Sequence, residues 1–237
     1  MANCIIVFAK NPVPNEVKTR LIPFLPPERA ASLYRAFLVD WCHTLHRIPA
    51  AQLVIAYTPP DSLIPMKNLI GLEVIYIPQA GSNLGERLIS AAQWASSQNY
   101  SKLLLVGSDS PTLPLPYVER AFKLLDSCDV AIGPSMDGGY YLIGFSAHGA
   151  SLAIPKVFQD ISWSTDIVFR QTLEKTKAVN ARLHLLPPWY DVDNPEGLQR
   201  LCDHLFAMQL AGEEISAPQT VIELSKFVEF SGLLKRG

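Results

Sequence analysis

The chain has 237 residues, of which 49% are hydrophobic and 18% charged, and its formal net charge is −2. A globular chain of this length buries roughly 70 to 75% of its extended surface, so it needs no disulfide or structural metal to fold. The small net charge provides no general field for attracting nucleic acid or an anionic membrane, so neither is an expected partner. No change in composition divides residues 1–237, which predicts a single domain, with a helical extension from about residue 210.

The cysteines and the apolar runs indicate the cellular compartment in which the protein is expected. Cys4, Cys42, Cys128 and Cys202 lie far apart and form no Cys-x-x-Cys pair, which favours reduced core cysteines over a zinc site or a disulfide framework. The longest apolar runs have the length of strands, so no membrane span is predicted. The first residues lack the basic segment and the long apolar run of a signal peptide, and the predicted location is therefore the cytoplasm.

Apolar, β-rich runs alternate with helical patterns along the chain. The clearest helix follows Pro26 and Pro27, where apolar residues recur at helical spacing from Ala30 to Leu45. This alternation predicts an α/β domain with a mainly parallel sheet covered on both faces, whose functional residues lie at the carboxyl ends of the strands. The predicted strands are Cys4–Phe8, Leu53–Tyr57, Glu73–Ile77, Leu103–Val106, Val130–Ile132 and Leu183–Leu186. Further helices are predicted at Tyr117–Leu125, Asp166–Lys177, Glu196–Gln209 and Val221–Leu234.

One more strand is predicted at Tyr140–Phe145. It follows Val130–Ile132 too closely to leave room for a crossover helix. An antiparallel orientation needs only a short connection, so the sheet is expected to be mixed.

Two helix starts carry capping signals. Asn83 is followed three residues later by Glu86, as in a capping box. Ser164 is the expected cap of a later helix, with Trp163 packing against Val168 as a hydrophobic staple.

The loop after the first strand is rich in cations. Lys10, Lys18 and Arg20 lie within eleven residues that also contain prolines and Asn15, which tolerates positive φ. Lysine supplies a point charge and arginine a planar fork, and together they suit the oxygens of a diphosphate. A solvated basic loop is the alternative. The glycines of a Walker loop are absent.

Acidic residues follow two of the predicted strands. Asp109 comes directly after the fourth strand, and Asp191 and Asp193 lie before the helix that starts near Pro195. In an extended segment, alternation points Asp191 and Asp193 to the same side. Hard cations such as Mg²⁺ bind carboxylates together with substrate phosphates, so these residues are candidate metal ligands. The alternatives are turn stabilisation by Asp109 and helix capping by Asp193 or Asn194.

A third constellation is Gly133-Pro134-Ser135-Met136-Asp137-Gly138-Gly139-Tyr140-Tyr141, which places a carboxylate beside two glycines and two tyrosines. Asp-Gly-Gly is typical of a hairpin turn. A role on the substrate side stays open, because glycines allow a ligand close to the backbone and tyrosines pack on sugar or base faces. The five histidines show no metal-ligand spacing, and no nucleophilic triad is predicted.

Taken together, several motifs resemble one family. They are Phe8-Ala9-Lys10-Asn11-Pro12-Val13-Pro14, Val17-Lys18-Thr19-Arg20-Leu21, Leu84-Gly85-Glu86-Arg87-Leu88, Gly107-Ser108-Asp109-Ser110-Pro111, Asp137-Gly138-Gly139-Tyr140-Tyr141-Leu142-Ile143-Gly144, Trp163-Ser164-Thr165 and Asp191-Val192-Asp193. The resemblance is to the bacterial arsenosugar-biosynthesis-type glycosyltransferases, which are related to nucleotide-diphospho-sugar transferases. It spans roughly residues 4 to 200 and departs at Asn15, where that family usually has glycine.

This resemblance implies a GT-A-like, Rossmann-type three-layer sandwich in which the loop after the first strand meets the nucleotide. It implies that Asp109 meets a metal and that Asp137 lies near an acceptor or sugar, so both are candidate catalytic residues. With the acidic segment described above, the expected metal is Mg²⁺ or Mn²⁺, held by Asp109 and by Asp191 or Asp193. The residues expected at the nucleotide are Phe8, Ala9, Lys10, Lys18, Arg20, Gly85, Arg87 and Gly107.

Three functions are compatible with these features. The first is glycosyl transfer from a nucleotide-sugar donor to a small acceptor whose identity, like the oligomeric state, the sequence does not reveal. The second is nucleotidyl transfer of the guanylyltransferase kind to a small phosphorylated acceptor, although the glycine-rich, arginine-containing triphosphate loop of many such enzymes is not evident. The third is an inactive nucleotide-binding module, because a fold does not determine a reaction.

Overall fold

The computed structural model describes residues 2–49, 51–154 and 156–227. The described residues form an α/β sandwich in which strands and helices alternate. The strands are β1 (Asn3–Lys10), β2 (Ala51–Thr58), β3 (Ile75–Pro78), β4 (Lys102–Val106), β5 (Val130–Pro134), β6 (Tyr140–Ser146) and β7 (Leu183–Leu185). The helices are α1 (Pro27–His46), α2 (Leu63–Ile70), α3 (Leu84–Ser97), α4 (Leu115–Leu124), α5 (Ala147–Ala153), α6 (Val168–Ala178), α7 (Pro195–Ala211) and α8 (Pro218–Leu224).

The seven strands form one sheet in the order β3-β2-β1-β4-β6-β5-β7. Neighbouring strands are parallel except at β6, which is antiparallel to both β4 and β5. The predicted mixed sheet is therefore confirmed. Because β5 and β6 are joined by a short connection at residues 135–139, no crossover helix intervenes and β6 must reverse direction.

The hydrophobic core lies on both faces of the sheet. In β1, Ile5 and Val7 belong to one buried cluster, while Cys4 and Ile6 belong to the other. This division follows from the alternation of side chains along a strand. The first cluster includes residues of α1, α4 and α7, and the second includes residues of α3 and α5, so helices cover both faces. The four cysteines are buried and unpaired, as predicted.

Two helix starts are capped by asparagine. The Asn83 side chain accepts a hydrogen bond from Glu86 N at 3.0 Å, as predicted, and the Glu86 carboxylate reaches back to the backbone of Ser82 rather than to that of Asn83. The Asn194 side chain accepts from Gly197 N at 2.8 Å. Of the two predicted capping residues, Asn194 therefore caps α7, which leaves Asp193 available for other contacts.

The prediction that Ser164 caps α6 was wrong. Helix α6 begins at Val168 with Ile167 at the N-cap position, and Ser164 lies four residues earlier with φ at 66°. A left-handed residue cannot start the helix directly, so the segment turns once more before α6. Trp163 packs against Phe158, with ring centroids 6.4 Å apart.

Helices α2 and α5 were not predicted, because each has only seven or eight residues and little periodic pattern.

The predicted C-terminal helix is shorter than expected: α8 ends at Leu224, and residues 228–234 lie outside the described part of the chain. The start of α8 is attached to α1, because the Asp40 carboxylate accepts hydrogen bonds from Gln219 N and Thr220 N at 3.0 and 2.7 Å.

Within the described residues, no helix is both long enough and apolar enough to cross a bilayer.

Candidate active site

A cavity of about 680 Å³ opens at the carboxyl ends of β1 and β4. This is the edge at which the parallel arrangement predicted functional residues. Its wall is strongly acidic, and among the described residues it contains more carboxylates than cations. The charged lining residues are Lys18, Arg20, Asp109, Asp137, Asp166, Asp191 and Asp193.

The Lys18 ammonium lies between two carboxylates. Lys18 Nζ donates to Asp109 Oδ1 at 2.5 Å and to Asp193 Oδ1 at 2.7 Å. The Lys18 side chain is only 3% exposed, and its ammonium lies 5.4 Å from the Tyr34 ring centroid and 5.6 Å from that of Phe37. The predicted convergence of acidic side chains from distant strands is present, and a lysine occupies its centre.

The local backbone aims Lys18 into the cavity. Lys18 has left-handed dihedral angles, with φ at 48°, and it precedes a short 3-10 helix at Thr19–Leu21. Val17 and Leu21 are buried in the core and anchor the segment on both sides. Asn15 also has positive φ, at 66°, a conformation that glycine and asparagine adopt more readily than other residues do.

The charges of this cluster are coupled. Burial by itself lowers the pKa of Lys18, but the adjacent Asp109 and Asp193 carboxylates outweigh it and the net pKa is raised. Lys18 is therefore positively charged at neutral pH. Burial raises the pKa of Asp109 against the opposing effect of Lys18, and the neighbouring Asp193 raises it further.

Asp191 faces the same cavity but has a different partner. Its carboxylate accepts a hydrogen bond from Ser110 Oγ at 2.6 Å. Burial raises the pKa of Asp191 to about 7; the Ser110 hydrogen bond opposes this, while Asp109, Asp137 and Asp193 add to it. Asp191 thus titrates near neutral pH, which distinguishes it from an ordinary surface carboxylate.

A backbone contact joins the two acidic segments. Val192 N donates to the Asp109 carbonyl at 2.9 Å, so the chain between Asp191 and Asp193 lies against the turn after β4. Val192 itself is fully buried. The flanking aspartates both line the cavity, as their spacing predicted.

Asp137 is both a turn residue and a cavity residue. Its carboxylate accepts hydrogen bonds from Ser135 Oγ and from Gly139 N, the latter at 3.0 Å, and so stabilises the β5–β6 connection. Asp137 is nevertheless exposed to the cavity. Gly138 has φ at 90°, and a Cβ there would approach the Asp166 carbonyl oxygen within 2.1 Å, so this turn requires glycine.

The cavity wall includes some of the residues expected at the nucleotide and not others. Phe8, Lys18, Arg20 and Gly107 line it, whereas Ala9, Lys10, Gly85 and Arg87 do not.

The nonlining residues stabilise the segments around the cavity. Lys10 Nζ donates to the Glu16 carbonyl at 2.9 Å, and Arg87 Nε donates to the Gly81 carbonyl at 3.1 Å. A Cβ on Gly85 would lie 2.6 Å from the Phe158 carbonyl oxygen, so this glycine permits close packing of α3.

Sequence reasoning missed several lining residues. Asp166 is predicted only as part of a helix and Thr165 only at a helix start, and Ser135 lies in the third constellation without a predicted role. Tyr34 was read as part of the buried helix face, but its hydroxyl lies 2.8 Å from Ser108 Oγ, next to Lys18. A tyrosine hydroxyl within an otherwise apolar face was the one available signal.

Two carboxylates of the cavity, those of Asp109 and Asp193, could hold a hard cation. Among the residues that the structure describes, no group of three or more acidic, histidine or cysteine side chains is arranged to hold a metal ion. Asp109 and Asp193 nevertheless direct oxygen atoms at one positive charge, that of Lys18. Mg²⁺ is commonly held by one or two carboxylates and completed by substrate phosphates.

Comparison with known proteins gives one family and several relatives. A family model described as "Uncharacterized protein conserved in bacteria (DUF2064)" matches residues 41–165. The chain is 27% identical, over 190 residues, to a 2-phospho-L-lactate guanylyltransferase of Methanobrevibacter smithii, and the match covers 80% of each protein.

The solved structures point to the same fold. A protein of Desulfovibrio desulfuricans G20, provisionally described as a nucleotide-diphospho-sugar transferase, is 35% identical with a TM-score of 0.86, and the match covers 100% of this chain and 98% of that one. The inositol-1-phosphate CTP transferase of T. maritima is 15% identical with a TM-score of 0.55, and the match covers 90% and 98%. The nucleotide-diphospho-sugar transferase-like fold is thereby confirmed, and the second likeness concerns the fold alone.

Proposed function

The chain belongs to the bacterial family DUF2064, and from this premise we propose that it is a nucleotidyltransferase that joins a nucleoside monophosphate unit to a small phosphorylated acceptor. The observation that carries the proposal is the relationship to a guanylyltransferase across 80% of both chains. The glycosyltransferase hypothesis drew on the same acidic edge, but that edge is common to both reactions. The choice therefore depends on the relatives.

The proposed reaction needs charge neutralisation more than covalent chemistry. An acceptor phosphate oxygen attacks the α-phosphorus of a nucleoside triphosphate, and pyrophosphate leaves. Most of the catalytic effect in phosphoryl transfer comes from positioning and electrostatic stabilisation. A cavity of about 680 Å³ is large enough for a nucleotide, since ligand pockets span roughly 300 to 1,000 Å³.

The charged side chains have separate roles in this proposal. Asp109 and Asp193, with Asp191 nearby, would hold Mg²⁺ or Mn²⁺, which supplies positive charge to the phosphate oxygens. Lys18 and Arg20 line the same cavity and would contact the phosphoryl chain.

Asp137 would orient the acceptor, because its carboxylate is held in place by hydrogen bonds from Ser135 and Gly139.

The test is product analysis with a panel of the four ribonucleoside triphosphates, Mg²⁺ and small phosphorylated acid and alcohol acceptors. Nucleotidyl transfer releases pyrophosphate and consumes the acceptor in equal amounts. The matched variants are Asp109→Asn, in the cavity, and Asp126→Asn, whose carboxylate is exposed and pairs with Lys102. Pyrophosphate release that is equal in both variants would contradict the assignment of the site.

Sugar transfer remains a second candidate because of the 35% identity to the Desulfovibrio protein. It would release a nucleoside diphosphate from a nucleotide sugar, which the same product analysis detects. The arsenosugar assignment is a finer prediction within this candidate. A protein that binds nucleotides with no turnover of any donor would instead support the inactive nucleotide-binding module.

A further inference from the structure

We propose that Lys18 is an internal competitor of a divalent cation for the carboxylate pair Asp109 and Asp193, and that its ammonium is released toward the phosphates when that pair takes up the cation. The inference rests on the proposed function, in which Mg²⁺ or Mn²⁺ accompanies the nucleotide. It assigns Lys18 two positions, one between the carboxylates and one in the cavity.

The space between the two carboxylates cannot hold both the ammonium and a divalent cation. The ammonium already lies 2.5 Å from Asp109 Oδ1 and 2.7 Å from Asp193 Oδ1. Mg²⁺ binds oxygen at about 2.0 to 2.1 Å, so a cation shared by these two atoms would take the place of the ammonium. Two like charges at this separation repel each other, and the repulsion from a divalent ion is larger than that from a monovalent one. Lys18 must therefore move.

The charges of the two carboxylates are not balanced by the single ammonium of Lys18. With both carboxylates ionised, the pair carries two negative charges and Lys18 returns one positive charge. Asp191 and Asp137 line the same cavity, so further carboxyl groups surround the pair. A divalent cation balances the pair better than a single ammonium does, so the cation displaces Lys18 even without nucleotide, and the phosphates of a nucleotide then offer the released ammonium another partner.

The Lys18 side chain is able to move while the surrounding backbone stays folded. Its side chain is a flexible four-carbon stem, while the backbone on either side is anchored by buried Val17 and Leu21. The Tyr34 and Phe37 rings lie beside the ammonium, and Lys18 also forms part of the cavity wall. Release into the cavity needs only side-chain rotation.

The first experiment uses the wild-type protein and Mg²⁺ alone. Brief acetylation with N-hydroxysuccinimide acetate, followed by peptide mass spectrometry, measures the accessibility of individual lysine amino groups. Lys18, which is 3% exposed, is expected to react several-fold faster at saturating Mg²⁺. Lys10, in the same loop and 42% exposed, is the internal control and is expected not to change. Unchanged or slower acetylation of Lys18 overturns the inference.

The second experiment measures Mn²⁺ binding without nucleotide by electron paramagnetic resonance. The Lys18→Met variant loses the competing charge and keeps the carboxylates, so it is expected to bind Mn²⁺ about tenfold more tightly than the wild type, a change of about 1.4 kcal/mol. Lys10→Met is the matched control and is expected to bind like the wild type. Equal or weaker Mn²⁺ binding by Lys18→Met overturns the inference, and if this variant does not fold, the acetylation experiment decides.

The two proposals fail in different ways. Pyrophosphate release by the wild type, together with a Lys18 that does not respond to Mg²⁺, rejects the exchange and leaves nucleotidyl transfer standing. A Lys18 that responds to Mg²⁺ in a protein that releases no pyrophosphate rejects nucleotidyl transfer and supports the exchange.

Discussion

Asp193 and Lys18 are 175 positions apart in the sequence, and the Asp193 carboxylate accepts a hydrogen bond from Lys18 Nζ at 2.7 Å. Together with Asp109, the pair joins the loop after β1, the turn after β4 and the segment before α7. A contact of this kind depends on the order of strands in the sheet, which places β1 beside β4. It defines the part of the cavity where the Lys18 ammonium lies between two carboxylates.

Replacing Asp109 is expected to abolish most of the activity. Asp109→Asn removes one of the two carboxylates that hold the positive charge, and we expect kcat/KM for pyrophosphate release to fall about 100-fold or more, equivalent to about 2.7 kcal/mol. Steady-state kinetics with thermal unfolding checks this result, because the variant must remain folded. A loss of less than about threefold would show that Asp109 is not part of the reaction centre.

Stability is expected to fall with rising pH because of Asp191. Its pKa is raised from 3.8 to about 7 by burial, so the folded protein holds this proton more tightly than the unfolded chain does. The stabilisation is fully present below pH 3.8 and is lost as the pH rises toward 7. At about 1.36 kcal/mol per pKa unit, the loss is on the order of 4 kcal/mol.

The Asp191→Asn variant tests this pH dependence. Asparagine keeps an oxygen that accepts the hydrogen bond from Ser110 and cannot ionise. Relative to the wild type, the variant is expected to gain stability between pH 4 and pH 7, as measured by urea unfolding across that range. Parallel pH profiles for the two proteins would contradict the raised pKa.

Alanine at Gly138 is expected to destabilise the protein and reshape the cavity edge. The added Cβ would lie 2.1 Å from the Asp166 carbonyl oxygen, and φ at 90° is unfavourable for an L-residue. We expect a loss of about 2 kcal/mol or more in the free energy of unfolding. Gly212→Ala is the informative control, since its φ is 67° but no atom lies within 4 Å of the added Cβ. Equal losses in the two variants would exclude the steric contact as the cause.

Asp40 is expected to hold α8 against α1. Its buried carboxylate accepts hydrogen bonds from Gln219 N, Thr220 N and Thr220 Oγ1. Asp40→Ala leaves these donors unsatisfied, which costs on the order of 2 to 3 kcal/mol. Hydrogen exchange of the amides at 219–224 is expected to accelerate selectively, while Asp61→Ala, at an exposed position, is not expected to alter it. Protection that is unchanged in Asp40→Ala would show that apolar packing alone holds the helix.

The strands were predictable because each is a local pattern. The apolar run at Cys4–Phe8 and the pattern from Ala30 to Leu45 reproduce β1 and α1 to within a few residues. Even the reversal at Tyr140 followed from the short distance along the chain after β5. The shorter helices α2 and α5 escaped, since one or two turns carry too little periodicity to stand out.

By itself, the sequence determined that cations follow β1 and that aspartates follow β4 and β7 at one edge of the sheet, although Lys10 does not line the cavity and Asp166 was not expected there. Only the tertiary structure decided which of them touch, because strand order and backbone direction bring Lys18 to Asp109 and Asp193 while Lys10 bonds within its own loop. Local patterns depend on neighbours a few residues apart, whereas an ion pair across the sheet depends on packing of the whole domain. For the same reason the raised pKa of Asp191 follows from its burial, which no stretch of sequence specifies alone.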